Sequence, residues 1–369
     1  SDNQKISTRQ IQRLLILDLF GASSLLLPGL LARTVGTDGV FCIAAAALLS
    51  VLYLGLLGKV VKGMKGGYYD HIKGLLGSFV GDIIMVFYLI FFVLLSSFIL
   101  NQLAGLVQAW LLPKGSYGWV CFLVLLLAAY ASMRGIEGRA RVYEILFWFL
   151  LAPLLLMLVL AARGVNADYW TPIAMSGGGS FAEGTLWAVI FSLPVCFILF
   201  LRPYCASPGK LKGAAKGAVL AATVLNVIVY MILLGNFQVK TVEVLKRPVI
   251  TLMSMVKLPG GFFTRLDAFM TAIWFFSLFA LMNTGVFHGS LILKGFFHEK
   301  KTHYGLLAVA VLVFAAARWF FNYPGTDELY AGYLKYVALP VLVLIPVLLW
   351  IVAGIRGKGA KRGEKHTDA

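Results

Sequence analysis

The chain has 369 residues, of which 60% are hydrophobic and 13% charged, about half the ~25% charge of an average soluble chain. Apolar runs of about 20 residues recur from end to end, each long enough to cross a hydrocarbon core of about 30 Å, which excludes a soluble protein. The formal net charge of +16 does not mark a nucleic-acid binder, because the basic residues punctuate the apolar runs instead of forming one stripe.

The pattern predicts an all-α integral membrane protein with about ten spans, near 10–33, 38–61, 78–110, 116–133, 142–163, 185–204, 214–236, 262–293, 304–322 and 331–355. The alternating ten-residue segments of a β-barrel are absent. Residues 1–9 form a short N-terminal segment, 10–355 a single transmembrane domain and 356–369 a basic tail. No cleavable signal peptide is expected, since the first apolar run continues to full membrane length.

Span one, "ILDLFGASSLLLPGLLA" (Ile16 to Ala32), is unusual for a lipid-spanning helix. It carries Asp18, the small cluster Gly21, Ala22, Ser23 and Ser24, and then Pro28. A proline removes a backbone N–H and crowds the preceding turn. In a membrane such breaks survive only when buried or facing a water-filled cavity. Asp18 admits two readings: a coupling site or partner for a substrate ammonium, or a structural carboxyl paired with a neighbouring helix.

Span three carries Asp82, Tyr88, Ser96 and Ser97. Span six repeats the proline feature as Ser192-Leu193-Pro194. Asn226 lies in span seven, and Ser277, Asn283, Thr284 and His288 lie in span eight. Taken singly, these polar residues read as helix–helix hydrogen bonds. Arg265 and Asp267 stand at the start of span eight and can pair locally. The four cysteines, Cys42, Cys121, Cys196 and Cys205, show no CxxC or metal spacing and read as packing residues. No phosphate loop, nucleophile–base pair or metal cluster appears, so no enzyme, cofactor or catalytic residue is expected.

Orientation follows from the basic residues. With the N-terminus in the cytoplasm, that side collects roughly two thirds of all Lys and Arg, including Arg134, Arg139 and Arg141. Both termini are then cytoplasmic, which an even span count allows. The first and sixth spans share a proline beside small residues, and the third and eighth are the longest. Long amphipathic connections precede both of the latter, one of them at 241–258. Five spans is an odd number, so a second copy of five sits inverted: repeat one covers 10–163 and repeat two 185–355. Inverted repeats with interrupted first and sixth helices mark a secondary-transporter architecture with its site at the midplane. Backbone N–H groups freed at a break suit a carboxylate, and freed carbonyls suit an ammonium group or a small cation.

The opening "KISTRQIQRLLILDLFGASSLLLPGLLA" resembles the start of the spore-germination permeases, the B subunits of nutrient germinant receptors. The match lies in Lys5, Ile6, Ser7, Gln10, Gly21, Leu27 and Pro28. A second match is "FFTRLDAFMTAIWFFSLF", through Arg265, Leu266, Asp267 and Trp274, and the Leu193-Pro194 break also fits. The chain departs from the family at Gly-Ala-Ser-Ser and at Asp18, both beside the expected pocket.

The resemblance implies a LeuT-like member of the amino acid/polyamine/organocation transporter superfamily. It implies binding of a small nutrient, an amino acid such as L-alanine, between the first, third, sixth and eighth helices. It also implies A and C subunits as partners and residence in the spore inner membrane. On this reading Gly21, Ala22, Ser23, Ser24, Ser192 and Leu193 contribute to the site, with Pro28 and Pro194 as the helix breakers. Tyr88 and Ser277 are the expected side-chain contacts, with Asp18 and Thr284 as candidates for coupling an ion or amine. The alternative is an amino acid transporter of the bacterial cytoplasmic membrane, coupled to a proton or a sodium ion. The segment 241–258 is the candidate lid.

Overall fold

The computed structural model describes residues 5–256, 266–297 and 302–367. Side chains at 110, 266–270, 302–303 and 357–367 fall outside that description. Arg265, the side chain of Asp267, and the last residues of the expected lid therefore lie outside the described residues.

Among the described residues, eight stretches are long and apolar enough to cross a membrane. The first, Thr8–Gly63, holds two helices joined by a turn, and the shorter Tyr117–Met133 adds another. The described residues thus make ten helical passes. In chain order they are α1 (Thr8–Val35), α2 (Gly39–Gly63), the short α3 (Tyr68–Leu76), α4 (Ser78–Trp110), α5 (Tyr117–Met133) and α6 (Gly135–Ala162). Then come α7 (Gly178–Phe191), α8 (Ile198–Leu201), α9 (Leu211–Asn236), the short α10 (Val239–Val244) and α11 (Pro248–Met255), α12 (Leu266–Phe297), α13 (Thr302–Asn322), α14 (Thr326–Tyr333) and α15 (Leu339–Thr367).

Local chemistry explains the boundaries. Ser7 and Gln10 form a capping box that starts α1, satisfying two of the otherwise orphaned backbone donors. Gly36 ends α1 at φ 58°, a conformation that glycine adopts without a Cβ penalty. The Asp38 carboxylate at the turn into α2 accepts hydrogen bonds from Ala174 N (2.6 Å), Ser176 N (2.8 Å) and Ser176 Oγ (2.6 Å). One side chain thereby pins the connection between spans five and six to that between spans one and two.

Spans one and six depart from each other. Span six is interrupted: α7 ends at Phe191, a 3₁₀ stretch runs Leu193–Phe197, and α8 resumes at Ile198. Span one was expected to break as well, and it does not; α1 is helical from Thr8 to Val35 with Pro28 inside it. Pro28 deprives only the Ser24 carbonyl of its i+4 donor. Ser23 Oγ donates to the carbonyl of Leu19 at 2.6 Å, and Ser24 Oγ donates to that of Gly21 at 3.2 Å. The turn before the proline stays helical with both serine hydroxyls bonded to carbonyls within it.

A second departure concerns span five. The expected start near 142 is too late, because Gly135 at φ 69° opens α6 seven residues earlier. Arg139, expected in a cytoplasmic loop, thus enters the helix and is only 2% exposed. The tail expected from 356 continues α15 as helix to Thr367.

The core follows this order. α12 packs along α4, and α1 lies against α9, α12 and α7. Away from the cavity described below, Ile6 N donates to the Tyr204 carbonyl and Ala206 N to the Ile6 carbonyl. Arg13 forms an ion pair with Glu144 of α6, and Gln10 Nε2 donates to the same carboxylate at 3.1 Å. The N-terminal ends of α1 and α6 are thereby held together.

Candidate functional site

A cavity of about 340 Å³ lies between α1, α4, the interrupted span six, the segment between α10 and α11, α12 and α14. That size falls within the 300–1,000 Å³ range of small-molecule sites. Asp18, Ala22, Leu26, Gly29, Leu30 and Arg33 line it from α1. Their spacing of three and four residues is a single helix face, and its 15 residues of rise give a wall about 22 Å long. The buried Asp18 marks the floor, and the exposed Arg33, Lys246 and Asp327 mark the mouth. Between them the walls are apolar and aromatic, with Phe91 and Phe98 from α4 and Trp187 and Phe191 from α7.

The sequence-predicted residues divide by helical phase. Asp18, Ala22, Leu193 and Pro194 reach the cavity wall. Gly21, one residue from Ala22, faces α12 instead. A Cβ built there would lie 2.7 Å from Ser277 Oγ and 2.9 Å from the Ser277 carbonyl oxygen, so Gly21 and Ser277 form a close helix crossing. Ser23 accepts from Asn226 Nδ2 of α9 at 2.9 Å. Ser24 Oγ accepts from Trp274 Nε1 of α12 at 3.1 Å. Ser192 Oγ donates to the Ala188 carbonyl, and the Tyr88 hydroxyl meets that of Tyr68 at 3.1 Å. Pro28 is buried in α1 outside the cavity lining.

Beneath the floor lies a buried polar network. Thr284 Oγ1 donates to Asp18 Oδ1 at 2.9 Å and accepts from Arg139 Nη2 at 2.8 Å. Arg139 Nε donates to Asn283 Oδ1 at 2.7 Å, and the Tyr143 hydroxyl donates to the same oxygen at 2.9 Å. Asn283 Nδ2 in turn donates to the Ala128 carbonyl and to Ser132 Oγ. The Arg139 guanidinium also sits 4.5 Å from the Phe287 ring centroid. A carboxylate and a guanidinium thus share one threonine hydroxyl and tie α1, α6 and α12. Isolated charges in such surroundings would cost several kcal/mol each; bridged by the Thr284 hydroxyl and hydrogen-bonded, they are tolerated.

Of this network, Asp18 and Thr284 stand out in the sequence and Arg139 does not. The available signal was the i, i+4 pairing of Arg139 with Tyr143, hidden because the arginine stood among loop charges. The aromatic wall from Phe91, Phe98 and Trp187 carried no signal beyond apolarity. Among the described residues no cluster of three or more metal-ligating side chains occurs.

The architecture has counterparts among solved structures. The chain superimposes on a Na⁺-coupled sialic acid symporter in a substrate-bound outward-open state with a TM-score of 0.69. That match has 12% identity and covers 90% of this chain and 78% of the other. Mhp1, a nucleobase-cation-symport-1 family transporter, gives 0.59 in its closed conformation at 16% identity, covering 94% of this chain and 75% of the other. Ten passes among the described residues, an interrupted span six and a central cavity define a multi-pass membrane protein of LeuT-like fold.

Residues 5–323 match the family described as spore germination protein, and the chain belongs to that family. Spore germination protein B2 of Bacillus subtilis (strain 168) is 26% identical over 344 residues, 92% of this chain and 93% of the relative. Spore germination protein YndE of the same organism is 24% identical over 374 residues, 99% of each. The chain is thus a germination-related, multi-pass membrane permease.

Proposed function

We propose that this chain is the B subunit of a nutrient germinant receptor in an endospore-forming bacterium. It binds a small nutrient, an amino acid such as L-alanine, in the cavity between spans one, three, six and eight. The observation that carries the reading is the meeting of Asp18 with the interrupted span at Leu193 and Pro194 in one cavity. With α1 unbroken, the Asp18 carboxylate takes the role expected of freed carbonyls in span one and receives the ammonium group. The interruption at span six supplies backbone to the carboxylate end. Binding shifts span six, and the signal passes to A and C subunits in the spore inner membrane, with both termini on the core side. The protein acts without enzymatic chemistry or a bound cofactor.

The test is binding of radiolabelled L-alanine to the protein in lipid nanodiscs. Asp18→Asn should weaken binding about tenfold or more, the scale of one lost charge-assisted hydrogen bond. Unchanged affinity in a variant that folds removes Asp18 from the ligand's path.

A second reading, an ion-coupled amino acid transporter, is favoured by the LeuT-like fold shared with the sialic acid symporter. Within it the coupling ion is a proton rather than sodium. The Thr284 hydroxyl that a sodium site would need is already shared between Asp18 and Arg139. Reconstituted liposomes separate the two functions: concentrative uptake by this chain alone supports transport, and binding without uptake supports the receptor.

A further inference from the structure

The mouth of the cavity is chemically unlike its floor. Arg33, Lys246 and Arg247 line it with one acidic residue, Asp327. Arg33 Nε donates to the Glu243 carbonyl, and Lys246 projects into solvent. Arg247 is different: it is half-buried and makes no ion pair among the described residues. Its guanidinium reaches only the carbonyls of Gly105 and Gln102, both at 3.4 Å. Those oxygens belong to α4 and leave most of its five N–H donors unused.

The position is built rather than incidental. Pro248 follows Arg247 directly and opens α11. Val249, Ile250 and Met253 anchor that helix in the core with no exposed surface. On the other side Gly105 makes room, since a Cβ there would lie 3.2 Å from Arg247 Nη2. The ring of Tyr330 belongs to the same wall, and its buried hydroxyl has no hydrogen-bond partner among the described residues. A half-buried cation that makes no ion pair among the described residues costs free energy unless something anionic completes it.

We propose that Arg247 is the core of an outer subsite for a carboxylate, with Lys246 and Arg33 at its rim, about one cavity length from Asp18. The floor and the mouth lie too far apart for one small amino acid to span them. The outer subsite therefore holds the ligand's carboxylate first, while the ligand is still in the vestibule. The basic rim concentrates anions at the opening, and the guanidinium fork gives them a bidentate seat. The proposal rests on the reading of this cavity as the ligand's path.

The experiment uses an introduced thiol and needs no knowledge of the nutrient. All four native cysteines are buried, so Leu26→Cys, on the cavity face of α1, gives one accessible thiol. The full-length protein in nanodiscs is reacted with negatively charged sulfonatoethyl and positively charged trimethylammonioethyl methanethiosulfonate, each rate normalised to a free thiol in solution. The anionic reagent should react about tenfold faster than the cationic one, and propionate, a carboxylate without an amine, should slow it. Arg247→Gln should abolish the protection and reduce the preference to the part due to Arg33 and Lys246, and Arg247→Lys should keep the preference. Equal rates for the two reagents, or propionate protection that survives Arg247→Gln, overturn the subsite and leave the cavity standing. No reaction with either reagent means that the cavity is closed to solvent, and both readings fall. If Arg247→Gln does not fold, propionate protection in the Arg247 protein decides: protection supports the subsite and its absence overturns it.

Discussion

Spans one and six carry the same mark in the sequence, a proline beside small and hydroxyl residues, yet one becomes a strut and the other a joint. The difference lies in what each side chain finds. In α1 the polar residues reach other helices: Asp18 reaches Thr284, Ser23 reaches Asn226, and Ser24 takes the Trp274 N–H. Gly21 brings the backbone of α1 against Ser277. In span six Ser192 turns back to its own helix. Leu193, Val195, Cys196 and Phe197 are held by apolar packing alone, none more than 4% exposed. Directional bonds fix a helix in register, whereas apolar packing tolerates a change of backbone winding. A proline therefore does not by itself specify a break; its neighbours' partners decide.

The largest effect is expected at the network under α1. Arg139→Ala leaves the Asp18 carboxylate buried beside Thr284 without its counter-charge. Removing one member of a buried pair costs about 3–5 kcal/mol, so the thermal unfolding temperature of the solubilised protein should fall steeply. Asp18→Asn combined with Arg139→Met should recover most of the loss, because the unpaired charge is gone. A single Arg139→Ala variant as stable as the parent means that α1 is not tied in this way.

The next largest effect is expected at Gly21. Gly21→Leu must push α1 off Ser277, and overpacking of this kind costs about 1–3 kcal/mol. The loss should appear as reduced thermal stability together with any loss of binding. Intact stability with abolished binding would instead place Gly21 at the ligand.

The two prolines sharpen the contrast further. Pro194→Ala should let span six wind into a continuous helix and weaken ligand binding about tenfold, equivalent to roughly 1.4 kcal/mol. Pro28→Ala should leave binding unchanged, since Pro28 lies off the cavity wall, while giving the Ser24 carbonyl a donor. Equal effects of the two substitutions would erase the distinction between strut and joint. The smallest expected effect is that of Ser23→Ala. It removes one interhelical hydrogen bond to Asn226, worth about 0.6 kcal/mol in membrane proteins, and should shift the unfolding midpoint slightly without touching affinity.

Much of the fold is legible in the amino-acid sequence. Apolar run length alone gives ten passes, because a helix must satisfy its backbone and be about 20 residues long to cross lipid. The interruption at Leu193-Pro194 was legible because a proline inside an apolar run removes a backbone donor. The start of α6 was missed because charge argued for a loop, while Gly135 permitted the helix to begin there. Of the site, Asp18 and the span-six break were visible as residues out of keeping with lipid. Ser23, Ser24, Tyr88 and Ser277 looked similar and turned out to bond or pack between helices.

The sequence by itself determined the class of protein, the number of passes and the presence of a costly carboxylate in span one. Composition and run length are sums along the chain and do not depend on how helices meet. Only the tertiary structure decided which residues share the cavity. Each step along a helix turns the side chain by about 100°, so neighbours such as Gly21 and Ala22 face different partners. It also decided that Asp18 shares a hydroxyl with Arg139, 121 positions away in the chain, because charge pairing in a membrane core is set by where helices touch.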